Sequence, residues 1–369
     1  MFSELALKTT DACRFCWMCR HLCPIGLATG NEGNTPRAKG LLMAGVTRKM
    51  EYSAEIASDM YECCLCNACA DNCETGFEPA VFIREARTMA VVEDIVPAHV
   101  QKLITNAMNT GNIFGKPQNE KMNGIADMMQ HLPQKAEILL FVGDTAAYQT
   151  PYIAAAIIGL LKKARIDFTV LAEEPSCGYE LGDLIGFTDE VKQIATNATA
   201  QINAVGAKTM VALDPACARM FKQQYSQWNC SPDCEIVTAT SFVAELINKN
   251  ILTPHASGNQ LVTLQDNSSL SRDLDENEPV RKIISAMGFQ LKEMYLNRRL
   301  TKSCGGILLS EHSPSIARST VGKRLEDAQR TGAELLITCT PEDFHMLSES
   351  SPDGIKTKDI FVLLNEICL

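Results

Sequence analysis

With 369 residues, of which 46% are hydrophobic and 21% charged, the chain has the composition of a folded globular protein with room for two or three domains, which excludes a disordered or fibrous class. A formal net charge of −10, an isoelectric point near 5.2 and the lack of a Lys/Arg run exclude a nucleic-acid backbone as partner. The longest apolar stretches, ILLFVG from Ile138 and PYIAAAIIGLL from Pro151, fall well short of the roughly 20 residues needed to cross a bilayer. With no export signal at the start, a cytoplasmic location is expected, any membrane contact being peripheral, at the inner face, or made through a partner.

Sixteen cysteines in a chain that is neither small nor secreted argue against a disulfide scaffold. Cys13, Cys16, Cys19 and Cys23, followed by Pro24, give C-x-x-C-x-x-C-x-x-x-C-P, the spacing with which bacterial two-cluster ferredoxins hold 4Fe-4S cubanes. Three thiolates on one tight loop can face three irons, while the fourth cysteine starts a helix that leads to the neighbouring cluster. Pro24 suits the first turn of that helix, having no N–H to leave unpaired. Cys63, Cys66, Cys69 and Cys73 repeat the spacing, with Glu74 in place of the proline and an additional Cys64 expected to be a spectator. By the crossed ligation of such ferredoxins, one 4Fe-4S cluster is expected on Cys13, Cys16, Cys19 and Cys73 and a second on Cys63, Cys66, Cys69 and Cys23. Two readings stand beside this one: zinc knuckles, which usually pair two dyads across a longer gap, and clusters of purely structural role.

Helical patterns follow in PRAKGLLMAG (36–45), EYSAEIASDM (51–60) and, after the second run, EPAVFIREARTMAVVEDI (78–95). The insert between the runs resembles the helical ferredoxin module of succinate dehydrogenase iron–sulfur subunits and of the C subunit of heterodisulfide reductase. After a connection rich in Gly, Asn and Pro, strands predicted at 137–142, 166–171 and 209–213 alternate with helices in TPYIAAAIIGLLKKA and EVKQIATNATAQINAV, which implies a mostly parallel α/β layer. A weak duplication overlies this pattern. EEPSCGYELGDLIGF around Cys177 is echoed by LTKSCGGILLSEHSP around Cys304, and LDPACARMF around Cys217 by ITCTPEDFHML around Cys339. The expected fold class is multidomain α+β: an all-helical two-cluster ferredoxin module over 1–109, a linker over 110–136, and an α/β domain of two pseudo-repeats, 137–255 and 256–369, with mostly parallel sheets.

The order of a ferredoxin module, a G-N-x-x-G-x-P connection (Gly111, Asn112, Gly115, Pro117) and two Ser-Cys-Gly segments resembles the cysteine-rich CCG family of iron–sulfur oxidoreductase subunits, which includes the D subunit of heterodisulfide reductase and the C subunit of anaerobic glycerol-3-phosphate dehydrogenase. The resemblance implies five cysteines per repeat, which in heterodisulfide reductases hold a non-cubane cluster. At those places the first repeat carries Asp144, Ser176, Cys177, Asp214 and Cys217, and the second Ser268, Ser303, Cys304, Glu342 and Cys339. Hydroxyls and carboxylates are poor replacements for thiolates as ligands of a reduced cluster. Cys177, Cys217, Cys304 and Cys339 are therefore expected to be packed remnants, with a third metal or cluster site or a redox-active thiol pair as the alternatives.

Cys230 and Cys234, in WNCSPDCE, are spaced for a metal or a bridge but have no second pair nearby in sequence. His21, His131, His255, His312 and His345 are scattered and read as surface or core. In SEHSPSIARSTVGKRLEDAQRTG a helix is predicted, with Ser313 as its cap, Pro314 in its first turn and Gly332 beyond its end. The function expected is electron transfer: an iron–sulfur subunit of a hetero-oligomeric oxidoreductase whose two 4Fe-4S clusters relay electrons between a partner flavoprotein dehydrogenase, carrying FAD or FMN, and another acceptor. The alternatives are a stand-alone thiol–disulfide reductase of heterodisulfide type and a structural or iron-sensing protein.

Overall fold

The structure, a computed structural model, describes residues 2–255, 258–351 and 354–368; the expected domain limits at 1, 256 and 369 lie outside these. The N-terminal part is helical. Helices span Glu4–Ala12, Pro24–Thr29, Pro36–Thr47, Ala54–Tyr61, Pro79–Val92 and Ala98–Thr110. Their starts follow local chemistry: Ser3, Thr35 and Ser53 accept the N–H of the third helical residue, and Pro24, Pro36 and Pro79 sit where no N–H is needed. Met43, Met60, Phe77, Phe82 and Ile83 form a small core between them.

Among the described residues the rest of the chain holds two four-stranded sheets of identical topology. β1 (Ile138–Phe141), β2 (Phe168–Val170), β3 (Thr209–Ala212) and β4 (Glu235–Thr238) lie in the order β2-β1-β3-β4. β5 (Leu261–Leu264), β6 (Gln290–Leu291), β7 (Leu335–Thr338) and β8 (Lys356–Asp359) lie in the order β6-β5-β7-β8. Every pairing is parallel, with Leu140 opposite Val170 and Val211 in the first sheet and Leu264 opposite Ile337 in the second. Parallel sheets bury both faces, and β1 does so by alternation: Leu140 and Val142 enter one hydrophobic cluster while Leu139 and Phe141 enter another.

The first of those clusters spans both sheets, joining Leu140 and Val211 to Val262, Leu264 and Ile337. The halves also exchange helix contacts. Helix Pro151–Lys163 packs on helix Ile360–Ile367, and helix Ala239–Asn248 on helix Glu278–Ala286. Gly159 permits the first contact, since a Cβ there would come within 2.8 Å of Asn365 Oδ1. Helix Pro314–Gln329 begins at Pro314 as expected, but Ser313 makes no side-chain cap bond, its backbone (φ −133°, ψ 74°) being turned away from cap geometry.

The helical module lies across both halves. Tyr61 donates to Leu184 O (3.0 Å), Thr88 to Ile185 O (2.7 Å) and Ser319, from the second half, to Ala28 O (2.9 Å). At Gly186, φ +80°, a Cβ would fall 2.1 Å from Thr88 Oγ1, so only glycine lets helix Pro79–Val92 approach this closely. No helix among the described residues is long and apolar enough to cross a membrane.

The segment expected as a linker, 110–136, is packed into the first half. Asn112 donates to Thr110 O and Lys116 O, and Lys121 is buried between Asp144 (2.5 Å) and Glu174 (3.0 Å). Burial would strip the Lys121 proton, but the two carboxylates outweigh it and hold the ammonium charged. Glu174 in turn accepts from Val142 N (2.6 Å) and Gly143 N (2.8 Å), tying the linker to the end of β1. Lys121→Met leaves two carboxylates buried without a counter-charge and is expected to destabilise the protein by about 3–5 kcal/mol, read as a lower urea midpoint by circular dichroism with the cluster absorbance retained before the transition.

Candidate iron–sulfur site

The two cysteine runs fold into loops of the same shape. In the first, Phe15 (φ 57°) and Trp17 (φ 68°) flank Cys16; in the second, Leu65 (φ 50°) and Asn67 (φ 58°) flank Cys66. Left-handed backbone at bulky residues is costly and persists where the surroundings demand it. Its recurrence at matched positions gives the two loops the same local turn, and in the second the Leu65 N–H donates to Cys63 Sγ at 3.4 Å. After each loop the chain resumes as helix; Cys23 is the N-cap of Pro24–Thr29, and its Sγ accepts from Gly26 N at 3.4 Å.

The fold brings Cys23 to the second run. Cys23, Cys63, Cys66 and Cys69 line one cavity, closed by Lys39 and Asn34. Cys13 and Cys16 lie near enough to Cys19 to add to the upward push of burial on its thiol, while Cys73 Sγ lies 3.3 Å from Thr75 Oγ1. Cys64, expected as a spectator, lines the second cavity too, and its thiol donates to Cys66. Burial pushes Cys23 up to about 12 and Cys19 to about 11, and raises Cys63 and Cys69. The Cys64 hydrogen bond brings Cys66 down to about 6, with help from Arg272. At Cys73 burial acts upward, but bonds from Thr75, Phe77 and Gly76 outweigh it and lower the thiol. Buried thiols of this kind become thiolates when iron supplies the charge. Duplicated loops, soft donors and a four-cysteine cavity fit a pair of iron–sulfur clusters.

Cations surround the second cavity. Arg87 is buried and donates to Met60 O (2.9 Å) and Cys63 O (2.6 Å). Arg272, on a π-helical turn over Ser269–Asp273, donates to Cys66 O (2.7 Å), and Asn67 donates to Asp273 of the same turn (3.0 Å). Spacing alone could not reveal either arginine, since one comes from a later helix and the other from the second half.

The α/β residues are distributed differently from expectation. Cys177 and Cys217 meet, with Cys177 Sγ donating to Cys217 Sγ at 2.9 Å. Cys304 meets Asp343, its Sγ 2.9 Å from Oδ1. Cys339 stands apart, with its Sγ 3.7 Å from Gln265 O. Superposing β3 on β7 explains this. Asp214 caps the helix after β3 and Thr340 the helix after β7, each followed by proline, so Cys217 corresponds to Asp343. Cys339 is the residue directly after β7 and corresponds to Leu213, and Glu342 to Ala216. Pairing Cys339 with Cys217 is corrected accordingly, and three family thiols remain, Cys177, Cys217 and Cys304. Ser268 opens the helical turn after β5 as Asp144 opens the helix after β1, and Asp144 serves Lys121. Ser176 and Ser303 play one role in both halves, accepting from Gly178 N and Gly305 N at 3.1 Å. The four thiols named for a third site are thus distributed as one close pair, Cys177 with Cys217, and two residues with oxygen partners, Cys304 and Cys339. Cys230 and Cys234 remain free and partly exposed. His312 is buried against His99 (ring centroids 5.5 Å), with Nε2 3.0 Å from Ser58 O; burial brings it down to about 4.

Between the second cluster loop and the ends of both sheets lies a cavity of about 60 Å³, lined by Cys63, Cys64, Tyr179, Glu180, Gly306 and Glu342 among others. Burial raises Glu180 well above the carboxylate range. Burial, reinforced by Asp214 and Asp343, pushes Glu342 up to about 8 against the pull of the Ile307 N–H.

Loops, cavity and parallel body together define an iron–sulfur protein of the electron-transfer class, with a helical module seated on a twinned α/β platform. Residues 12–78 match the 4Fe-4S dicluster domain and residues 138–222 the cysteine-rich domain. The chain is homologous to the D subunit of the dihydromethanophenazine:CoB–CoM heterodisulfide reductase of Methanosarcina mazei, 26% identical over 365 residues that cover 92% of this chain and 88% of the relative. It is also similar to a probable membrane-anchored ferredoxin of Chromohalobacter salexigens, 25% identical over 82% of this chain and 47% of the relative, and to the EtfAB:quinone oxidoreductase of Syntrophomonas wolfei, 22% identical over 84% and 45%. The chain thus spans about half the length of those last two.

Glu342 gives a pH dependence with a definite sign. The folded protein keeps its proton up to about 8, whereas the unfolded chain releases it from 4.5, so this group's stabilisation is present below 4.5 and lost as pH rises through that window. Glu342→Gln lacks the dependence. Its urea stability relative to the natural protein is expected to increase steadily with pH across the window, measured at a series of pH values.

Proposed function

We propose that the chain is an electron-relay subunit, holding one 4Fe-4S cluster on Cys13, Cys16, Cys19 and Cys73 and a second on Cys63, Cys66, Cys69 and Cys23. The carrying observation is that Cys23, from the first run, lines the cavity of the second, the crossing that sets two clusters side by side. Each cluster, when bound, supplies reversible one-electron transfer. The protein's contribution is to position and to tune. Cys63, Cys66 and Cys69 would hold the second cluster with Cys23, and Lys39, Arg87 and Arg272 offset its negative charge. Cations so placed favour the reduced state of a nearby centre.

The first loop is the side open to a partner. Cys16 is exposed, as are Phe15, Trp17 and Met18. Arg37 stacks on Trp17 (4.3 Å) and Phe15 (5.5 Å), and Arg20 on Trp17 (5.2 Å). Residues 8–49 hold five more cations than anions in a chain of net charge −10, which suits an acidic docking face. We take the partner to be a flavoprotein carrying FAD or FMN, within a cytoplasmic or peripherally bound hetero-oligomer. The similarity to subunits of named oxidoreductases supports this. Heterodisulfide-type catalysis is the weaker reading, because each half keeps too few thiols for the family's own cluster.

Anaerobic dithionite-reduced protein tests the ligand sets by electron paramagnetic resonance. Cys23→Ser and Cys66→Ser are expected to alter one signal, and Cys73→Ser and Cys16→Ser the other. If Cys23→Ser instead altered the signal shared with Cys16→Ser, the crossed assignment would fall. Cys16→Ser is further expected to stop electron passage to the acceptor while the partner's flavin still reduces, and unchanged turnover would sink the relay.

A further inference from the structure

We propose that Cys177 and Cys217 form a dithiol/disulfide couple, a two-electron redox site at the C-terminal end of the first sheet. The two sulfurs lie 2.9 Å apart although their residues are 40 positions apart in sequence, so the fold, not local geometry, presents one thiol to the other. Both residues are buried and held from several sides. Tyr225 Oη donates to Cys177 O at 3.1 Å. Gly143, φ +84°, passes so close that a Cβ would lie 3.4 Å from Cys217 Sγ. Thiols constrained in this way need only a small rotation to join.

The second half supplies the contrast. At the corresponding strand end Cys304 faces Asp343 Oδ1 at 2.9 Å: the same contact distance, with a carboxylate where the first half keeps a sulfur. A thiol–carboxylate pair cannot form a covalent bond by oxidation; a thiol–thiol pair can. The first half alone therefore retains the chemistry.

The step balances within stated classes of acceptor. Two S–H bonds break and one S–S bond forms. Both sulfurs are oxidised, two protons are released to solvent, and two electrons go to one-electron iron–sulfur acceptors. The 60 Å³ cavity sets Tyr179 and Glu180, two and three residues after Cys177, against Cys63 and Cys64 of the second cluster loop, which gives the electrons a short way across. That last link rests on the relay reading; the couple itself does not. Two one-electron carriers matched to one two-electron site would let the protein exchange electrons singly on one side and in pairs on the other.

The test uses the full-length holoprotein under anaerobic conditions. Samples are equilibrated either in buffers of reduced and oxidised dithiothreitol or with one-electron mediator dyes at fixed potentials, then acid-quenched, denatured, alkylated and digested with trypsin. The disulfide joins the peptide 166–192 to the peptide 209–219, and mass spectrometry reads the fraction joined. The expected result is a single two-electron transition in both series. Cys217→Asp, which copies the Cys304–Asp343 arrangement and so is compatible with the fold, is expected to abolish it while both cluster signals persist. Joining in the dithiothreitol series only would uphold the couple and overturn its link to the clusters. Peptides that stay alkylated throughout both series, or a transition that survives Cys217→Asp, overturn the proposal.

Discussion

One buried guanidinium joins the two parts of this molecule. Arg87 extends from helix Pro79–Val92 and donates to three carbonyls, those of Met60 and Cys63 in the helical module and that of Asp183 in the first α/β half, while stacking over Tyr61. Its partners are dipoles and not a carboxylate, so its charge is solvated by the fold without being cancelled. The second cysteine loop, the cap of the α/β platform and the approach of the two at Gly186 all presuppose that side chain. Arg84 reinforces the seam through Asp183 at 3.0 Å, and Arg272 supplies the same service from the other half. The second cluster loop is consequently clamped by an arginine from each side, whereas the first loop reaches solvent.

The twinned platform keeps its architecture and lets its chemistry drift. Both sheets have one strand order, both Ser-Cys-Gly turns make the same hydroxyl-to-glycine bond, and both strand ends pair a thiol with a second group. The second group differs, sulfur in one half and carboxylate in the other. Elsewhere a different polar solution has entered: Asp144, at the start of the first half, faces the ammonium of Lys121, which satisfies a buried carboxylate without any metal.

Much of this was legible in the residues. The cysteine spacing carried the module, and the uninterrupted apolar runs at β1 and β3 announced strands buried on both faces. β4 and β8 were not foreseen, because edge strands such as KTKD (356–359) are polar and half exposed, so they lack the pattern that marks a central strand. β6 is two residues long and leaves no periodic trace. The Cys217–Cys339 match failed for a related reason: aligning sulfur with sulfur overrode the cap and proline that fix the true register. The packed role of 110–136 was hidden because its one decisive residue, Lys121, reads as a surface lysine until its two carboxylate partners, from other segments, are in place.

The contact between helix Pro151–Lys163 and helix Ile360–Ile367 has a bearing on how the protein is made. The apolar side of the earlier helix, with Ile153, Ile157 and Leu161, finds its cover some two hundred residues later in Ile360, Phe361 and Leu364. During synthesis, which proceeds at roughly 5–20 residues per second, that side stays open for tens of seconds after it leaves the ribosome. The ferredoxin-like loops are made well before this closure, so iron can reach them while the platform beneath is still unfinished. The segments that would hold the metal centres are thus complete well before the hydrophobic interior can close.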